Sequence, residues 1–442
     1  MPTVVLCPSL LATISTIIVA SSIERLPFEL LSSIFELALG NYWELRDKGP
    51  YELDRSAFAA VCTVWRAVIL RSPSLWNSLE ASTDTPCRLV STSLSLGRLL
   101  PLQLRLDLRR GSVFSPENTL HCFTHHFHRL QLLCVTASDA EIISTLAILI
   151  ASHRVVTLRY ISVICLGKHG DQFGILDLGC AVHSLRSLKL RRVRFNWTCP
   201  GVFAGLTTLV LRDMLLCWAP GWEFWHSLSI GAPKLARLCV RNMGCSSFPP
   251  SHQTIRFHSV TDLDLFYAID CASLRQLVSA FVLPALARFY FIAPSTEYLA
   301  DLFVGSDGAD YLDTLALYIP DVDLDLLQHF FRWCPNLRFL DVRTSEREVL
   351  EAIGIREHMQ RGYSVVCPAL SVLAVADEHP KLVRQCMVAC WPFSRAMDHV
   401  IFRGGFPEID DYDEDLKWIQ ERVAVGIRLR YVHPPWVEDV FA

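Results

Sequence analysis

The sequence has no surplus of positive charge: 41 Lys plus Arg stand against 45 Asp plus Glu in 442 residues, for a formal net charge of -4. Such a balance gives no general pull toward a phosphate backbone, so nucleic acid is not an expected partner. A disulfide framework is missing as well. Sixteen cysteines are spread along the chain with no CxxC among them, as expected of reduced core thiols. The motifs GxSxG, HExxH, GxGxxG and the Walker loop are all lacking. That excludes the acyl-transfer, metal-hydrolytic and phosphoryl-transfer sites built on them. The chain is therefore not expected to be an enzyme or to carry a cofactor or metal.

What is present is apolar mass: 51% hydrophobic against 19% charged residues. This is the composition of a folded protein, at a length that accommodates two or more domains. The first 23 residues hold no charged side chain, and Val4 to Ile23 matches the roughly 20 residues of a spanning helix. Against an anchor or a signal stand Pro8, the Ser and Thr residues between Ser9 and Ser22, and the lack of a preceding Lys or Arg. Residues 1–22 form an apolar segment for which a soluble reading is favoured, with a membrane anchor or signal as the open alternative.

In ERLPFELLSSIFELALG, Leu30, Leu31, Ile34, Phe35 and Ala38 recur at helical spacing, with Pro27 at the start and Gly40 at the end. After a polar connector, DRSAFAAVCTVWRAVILRSPSLW predicts a second and a third helix, with Asp54 as N-cap and Phe58, Val61, Cys62 and Trp65 on one face. About 50 residues bury too little surface to stand comfortably alone, so apolar groups left over on this unit point to docking.

The blocks LPFELLSSIF and VCTVWRAVILRSPSLW resemble an F-box of the fungal, basidiomycete-like type with a lengthened first loop. The resemblance covers about residues 23–78. It implies a three-helix module that binds the Skp-type adaptor of a cullin-RING ubiquitin ligase. It also implies adaptor-binding roles for Leu26, Pro27, Leu30, Leu31, Ile34, Phe35, Val61, Cys62, Trp65, Leu75 and Trp76.

Beyond residue 80 an apolar-x-x-apolar-x-apolar unit recurs, starting at Leu130, Val155, Leu185, Leu206, Leu235, Val260, Leu286, Leu312, Leu337 and Leu370, 21 to 33 residues apart. Self-similarity at this period signals stacked repeats. Copies such as LRSLKL, LTTLVL and LRFLDV resemble the strand segment of leucine-rich repeats, and PLQLRLDL at Pro101 to Leu108 is expected to open the stack. Return segments such as DLDLLQHFFRWCP read as helices. The position that usually holds Asn is Val193, Met214, Met243 or Ala268, so no Asn ladder is expected. The expected fold is α/β: an N-terminal three-helix F-box, then an irregular leucine-rich-repeat solenoid, a horseshoe, over 79–442. Its cap begins near Asp398 with a strand, an acidic loop, a helix and a last strand.

Ligand-like clusters have plainer readings. In HCFTHHFHRL, His121, His125 and His128 stand at i, i+4 and i+7, but a helix C-terminus favours such residues without a metal. Asp321, Asp323 and Asp325 suit a helix N-terminus better than a calcium loop, because Leu326 replaces the turn Gly and Arg332 the bidentate Glu. Cys386 and Cys390 read as core thiols, and Asn196-Trp197-Thr198 is a glycosylation sequon that matters only on the secretory route.

Strand alternation turns the residue after each third apolar position to the concave side. That column is Thr136, Ile161, Arg191, Arg212, Arg241, Phe266, Ile292, Tyr318, Arg343 and Ala376, with Lys189, Arg237 and Tyr290 beside it. The arginines predict a site for an acidic or phosphorylated segment of an unknown protein target, next to an apolar anchor met by Phe266, Tyr290 and Tyr318. The resemblance thus implies a substrate-receptor subunit of an SCF-type ligase, in the cytoplasm or nucleus. The alternative is a repeat-based binding protein without a ligase role, membrane-tethered or exported through its N-terminus.

Overall fold

The computed structural model describes residues 26–40, 51–109, 116–153, 155–167, 175–178, 183–196, 200–214, 220–243, 253–266, 276, 279–297, 299, 310–342, 349, 367, 369–375, 384, 399–402, 414 and 417–418. The expectations for residues 1–25, Trp197 and Thr198, Ala268, Arg343, Ala376, Cys386, Cys390 and most of the cap lie outside them. The fold is mixed α/β with a long parallel sheet, and the chain divides into two compact units, Met1–Leu185 and Arg186–Ala442.

The first unit opens with three helices, α1 (Phe28–Gly40), α2 (Tyr51–Val61) and α3 (Thr63–Arg71), followed by a 3-10 turn at Pro73–Trp76. The Pro27 carbonyl accepts from the Leu30 and Leu31 N–H groups at 3.1 Å, fixing the start of α1. Helix α2 begins at Tyr51, so Asp54 falls inside it rather than at its cap. The break between α2 and α3 is made by Cys62, whose side chain accepts from the Trp65 N–H at 3.4 Å. Leu31, Phe35, Leu39, Val68, Ile69 and Leu75 form the buried centre, with Leu26, Phe58, Ala59, Trp65 and Trp76 packed around it.

Four parallel strands follow in this unit: β1 (Ser78–Ser82), β2 (Leu102–Leu108), β3 (Leu130–Ala137) and β4 (Tyr160–Cys165). Helices α4 (Cys87–Leu96), α5 (Pro116–Phe123) and α6 (Ala140–Ser152) connect them. β4 corrects the repeat frame. Leu133 pairs with Ile161 and Thr136 with Ile164, so the copy expected to start at Val155 is instead Leu158-x-x-Ile161-x-Val163. Ile161 is a fully buried core residue, and Ile164 holds the outward position assigned to it. Val155 and Leu158 are both buried, so the spacing rule had two apolar frames to choose from, three residues apart.

Among the described residues of the second unit, nine parallel strands belong to the long sheet: β5 (Ser187–Arg191), β6 (Thr208–Arg212), β7 (Arg237–Arg241), β8 (Asp262–Phe266), β9 (Arg288–Ile292), β10 (Thr314–Tyr318), β11 (Phe339–Val342), β12 (Val372–Val375) and β13 (His399–Phe402). Helices α7 (Trp222–Gly231) and α8 (Leu324–Arg332) lie between strands, and Asp323 caps α8 by accepting from the Asp325 and Leu326 N–H groups. In-register columns such as Leu188, Leu209, Leu238, Leu263, Phe289, Leu315 and Leu340 are buried throughout. Period-two alternation puts every second residue on that face.

Three successive strands end alike. Arg192, Asp213 and Asn242 take positive φ of 55°, 54° and 49°. Each N–H donates to a neighbouring strand, Arg192 to Arg212, Asp213 to Arg241 and Asn242 to Phe266. The next residues, Val193, Met214 and Met243, then turn into the core. The position without Asn is filled by apolar packing.

Candidate docking surfaces

The helical module divides its apolar residues between two stripes. Leu31, Phe35 and Leu39 are buried, whereas Leu30, Ile34 and Leu37 are 52%, 47% and 76% exposed. Spacing of i, i+4 and i+7 places the second trio along one line on α1. Phe28, Val61 and Val64 are also exposed. Of the remaining candidates, Pro27 is exposed, Leu26 and Cys62 are half-buried, and Leu75 is buried. The half-buried rings are held from within. Trp65 meets Phe35 at 4.8 Å and Phe58 at 5.9 Å between centroids. Trp76 donates from Nε1 to the Ile69 carbonyl at 2.7 Å, and the Arg55 guanidinium lies 4.4 Å above its ring.

Sequence reading placed Leu30, Leu31, Ile34 and Phe35 together as one face and passed over Leu37. The i+7 spacing from Leu30 was the available signal for it. Arg55 was also missed. It is buried, with NH1 donating to the Leu75 carbonyl at 3.0 Å. Nothing in its local pattern marks it as the internal brace of the module.

In the second unit, Arg191, Arg212, Arg241, Phe266, Ile292 and Tyr318 do form one column, each paired in register with the next. The chemistry expected of its basic end is corrected by the partners. Arg241 is only 8% exposed and is bound to Asp264, Nε to Oδ1 at 3.0 Å with a second, closer contact through NH2. Burial alone would lower its pKa, but Asp264 outweighs it and holds the guanidinium firmly charged. Arg191 donates from Nε to Asp213 at 2.7 Å, and Asn242 donates to the same carboxylate at 2.8 Å. Beside the column, Arg288 donates to Asp262 at 2.9 Å, and Lys189, Arg212, Arg237 and Tyr290 are half-buried. Local acids that the repeat pattern does not announce thus engage two of the arginines.

The adjacent outward column is covered in part: Val210, Cys239, Asp264, Ala316 and Asp341 are buried, whereas Lys189 and Tyr290 in the same column are half-buried. Burial pushes the Cys239 thiol up to about 12 and Tyr290 likewise to about 12. Accessible apolar surface survives at the strand ends, where Phe266 and Ile292 are half-buried and Tyr318 is exposed.

The histidine cluster does not present one helical face, since α5 ends at Phe123 and Thr124–Arg129 continues as a 3-10 turn. His126 is pushed down by burial first and then by the nearby Arg129, His128 and His125. Among the described residues, no group of three or more His, Cys, Asp or Glu side chains could hold a metal ion. Also among them, no helix is long and apolar enough to cross a membrane. Neither the family models nor the curated proteins compared with this chain give a match.

Proposed function

We propose that the chain is the substrate-receptor subunit of an SCF-type cullin-RING ubiquitin ligase, acting in the cytoplasm or nucleus. In this reading α1 to α3 are an F-box that docks on the Skp-type adaptor, and the stacked strands are a divergent leucine-rich-repeat solenoid that holds a protein target. The single observation that carries it is the exposed row Leu30, Ile34 and Leu37 on a helix whose opposite stripe already completes a core. Such a row needs a partner surface, and Leu30 and Ile34 of it belong to the block that resembles an F-box. The chain would make and break no bond. Its contribution is proximity, which raises the effective concentration of a target lysine at the charged conjugating enzyme. The target would anchor on Phe266, Ile292 and Tyr318, without the free arginine row that the sequence suggested.

Co-expression with a Skp-type adaptor tests the reading. Central apolar anchors typically lose about 2 kcal/mol or more when removed, so Leu30→Glu with Ile34→Glu is expected to abolish co-purification while far-UV circular dichroism is retained. Equal capture of wild type and double variant would sink the F-box assignment and leave a repeat-based binding protein.

A further inference from the structure

Phe266, Ile292 and Tyr318 close β8, β9 and β10 and are paired in register, Phe266 with Ile292 and Ile292 with Tyr318. With neighbouring strands about 4.8 Å apart, the three side chains cover about 10 Å across the sheet. Past them the chain runs through two exposed prolines, Pro294 after β9 and Pro320 after β10. The two continuations stay together. Ser295 bridges to Asp321, the Asp321 N–H donates to the Pro294 carbonyl at 3.2 Å, and the Asp323 N–H donates to the Thr296 hydroxyl at 2.9 Å. Asp321 is three residues beyond Tyr318, so at most about 10 Å along the chain separates an acid from the apolar trio. Asp325 in the first turn of α8 and Glu297 on the adjoining segment are exposed, as is Asp321. Charge here has one sign: between Arg288 and Arg332 the sequence contains no Lys or Arg, against eight Asp or Glu. On the opposite flank of the trio, Arg241 is buried against Asp264 and offers a ligand no accessible cation.

We infer that this surface takes a polypeptide segment in which apolar side chains stand next to Lys or Arg, opposite in charge to the acidic or phosphorylated segment that the arginine column suggested. The apolar side chains rest on Phe266, Ile292 and Tyr318, and the basic ones reach Asp321 and Asp325. An acidic group at the same place meets like charge, which discriminates against it more than the attraction favours the right partner. Phosphorylation beside the apolar anchor therefore releases such a segment, because a phosphate adds negative charge next to carboxylates. The inference rests on the receptor reading only in taking the segment to belong to the ligase's target.

Immobilised peptide libraries test the surface on the full chain. Each peptide carries three positions randomised among Leu, Ile, Phe and Tyr, beside three positions that are Lys or Arg in one library, Ser in the second, and Asp or Glu in the third. Wild type is expected to be retained several-fold more by the basic library than by the Ser library, and least by the acidic one. Ile292→Ser with Tyr318→Ser should lower retention on the basic library several-fold, and Asp321→Lys with Asp325→Lys should reverse the order of the libraries. Asp323 is left in place because it caps α8. Should the Lys pair misfold, Asp321→Asn with Asp325→Asn is expected to erase the preference instead. Asp84→Lys with Glu141→Lys, two exposed acids of the first unit, changes the net charge equally and should leave the order as in wild type. Equal retention on the three libraries, a preference for the acidic one, or the same reversal from the Asp84 and Glu141 pair would overturn the inference. Adaptor capture, measured in parallel, keeps the two readings apart. Its loss with the library order intact removes the ligase role and leaves this surface standing, whereas a lost order with capture intact removes the surface alone.

Discussion

At Asp213 two opposing influences can be weighed on one side chain. Burial would raise its pKa, but hydrogen bonds from Asn242 and Arg191, together with the charge of Arg191, outweigh burial and hold it below the usual carboxylate range. For a carboxylate lowered by folding, the stabilisation is complete above the unfolded value of about 3.9 and drains away as pH falls through the folded value. Thermal melts between pH 6 and pH 2 are therefore expected to show Asp213→Asn less stable than wild type near neutrality, the gap closing below about pH 4. A gap that persists at low pH would mean that the carboxylate's charge is not what Arg191 and Asn242 hold. The same geometry limits charge reversal at Arg191 as a probe of binding, since Arg191→Glu would set two carboxylates side by side. None of this was legible in sequence. Alternation places Arg191 on its column, but the partner follows the next strand in a left-handed residue that the pattern does not address.

Helix α1 was legible in extent and ambiguous in face. Pro27 and Gly40 mark its ends as expected, yet its apolar residues are too many for one stripe. The periodicity does not say which stripe the module keeps for itself. Packing decides it: Phe35 stacks on Phe58 at 5.3 Å and meets Trp65, which turns Leu31 and Leu39 inward and leaves Leu30, Ile34 and Leu37 outside. Two single changes on one helix should then part company. Leu31→Ala removes a buried side chain and is expected to cost about 2 to 5 kcal/mol, whereas Ile34→Ala, half exposed, should stay within about 1 kcal/mol. Urea denaturation of the full chain measures both, and comparable losses would show that Ile34 belongs to a core. The strands were easier to read than the helices, because a period of two leaves little freedom once a leucine column is chosen. Two slips came at the start of the row: β1 precedes and pairs with the Leu102–Leu108 strand expected to open the stack, and at β4 two buried apolar residues stood three apart. The arginine partners and the buried members of the second column were beyond reach, since they depend on which acids the register brings alongside.

On the scale of the whole molecule, the buried thiols report on each compact unit separately. Cys165 lies in the first, and Cys239, Cys334 and Cys367 lie in the second. All four are buried, and burial raises the pKa of Cys239 to about 12 and that of Cys334 as well. A thiol that is both covered and protonated reacts with an alkylating reagent only when its surroundings open. The Arg241–Asp264 pair offers a way to open one unit selectively. Its side chains are 10% and 6% exposed, so Asp264→Ala strands a buried guanidinium and is expected to cost about 3 to 5 kcal/mol. Because stacked strands are stabilised chiefly by their neighbours, that loss should spread along the nine-stranded row. In a urea series with pulsed alkylation, read peptide by peptide, Asp264→Ala is expected to bring Cys239, Cys334 and Cys367 to reactivity at lower urea while Cys165 keeps its wild-type profile. If Cys165 moved with the others, the two units would unfold as one cooperative body. If only Cys239 moved, the row would lack the neighbour coupling that its continuous leucine columns imply. Arg241→Met combined with Asp264→Leu separates the charge from the packing: two apolar side chains of similar volume should return much of the lost stability, and the three thiols should again react near the wild-type urea concentration.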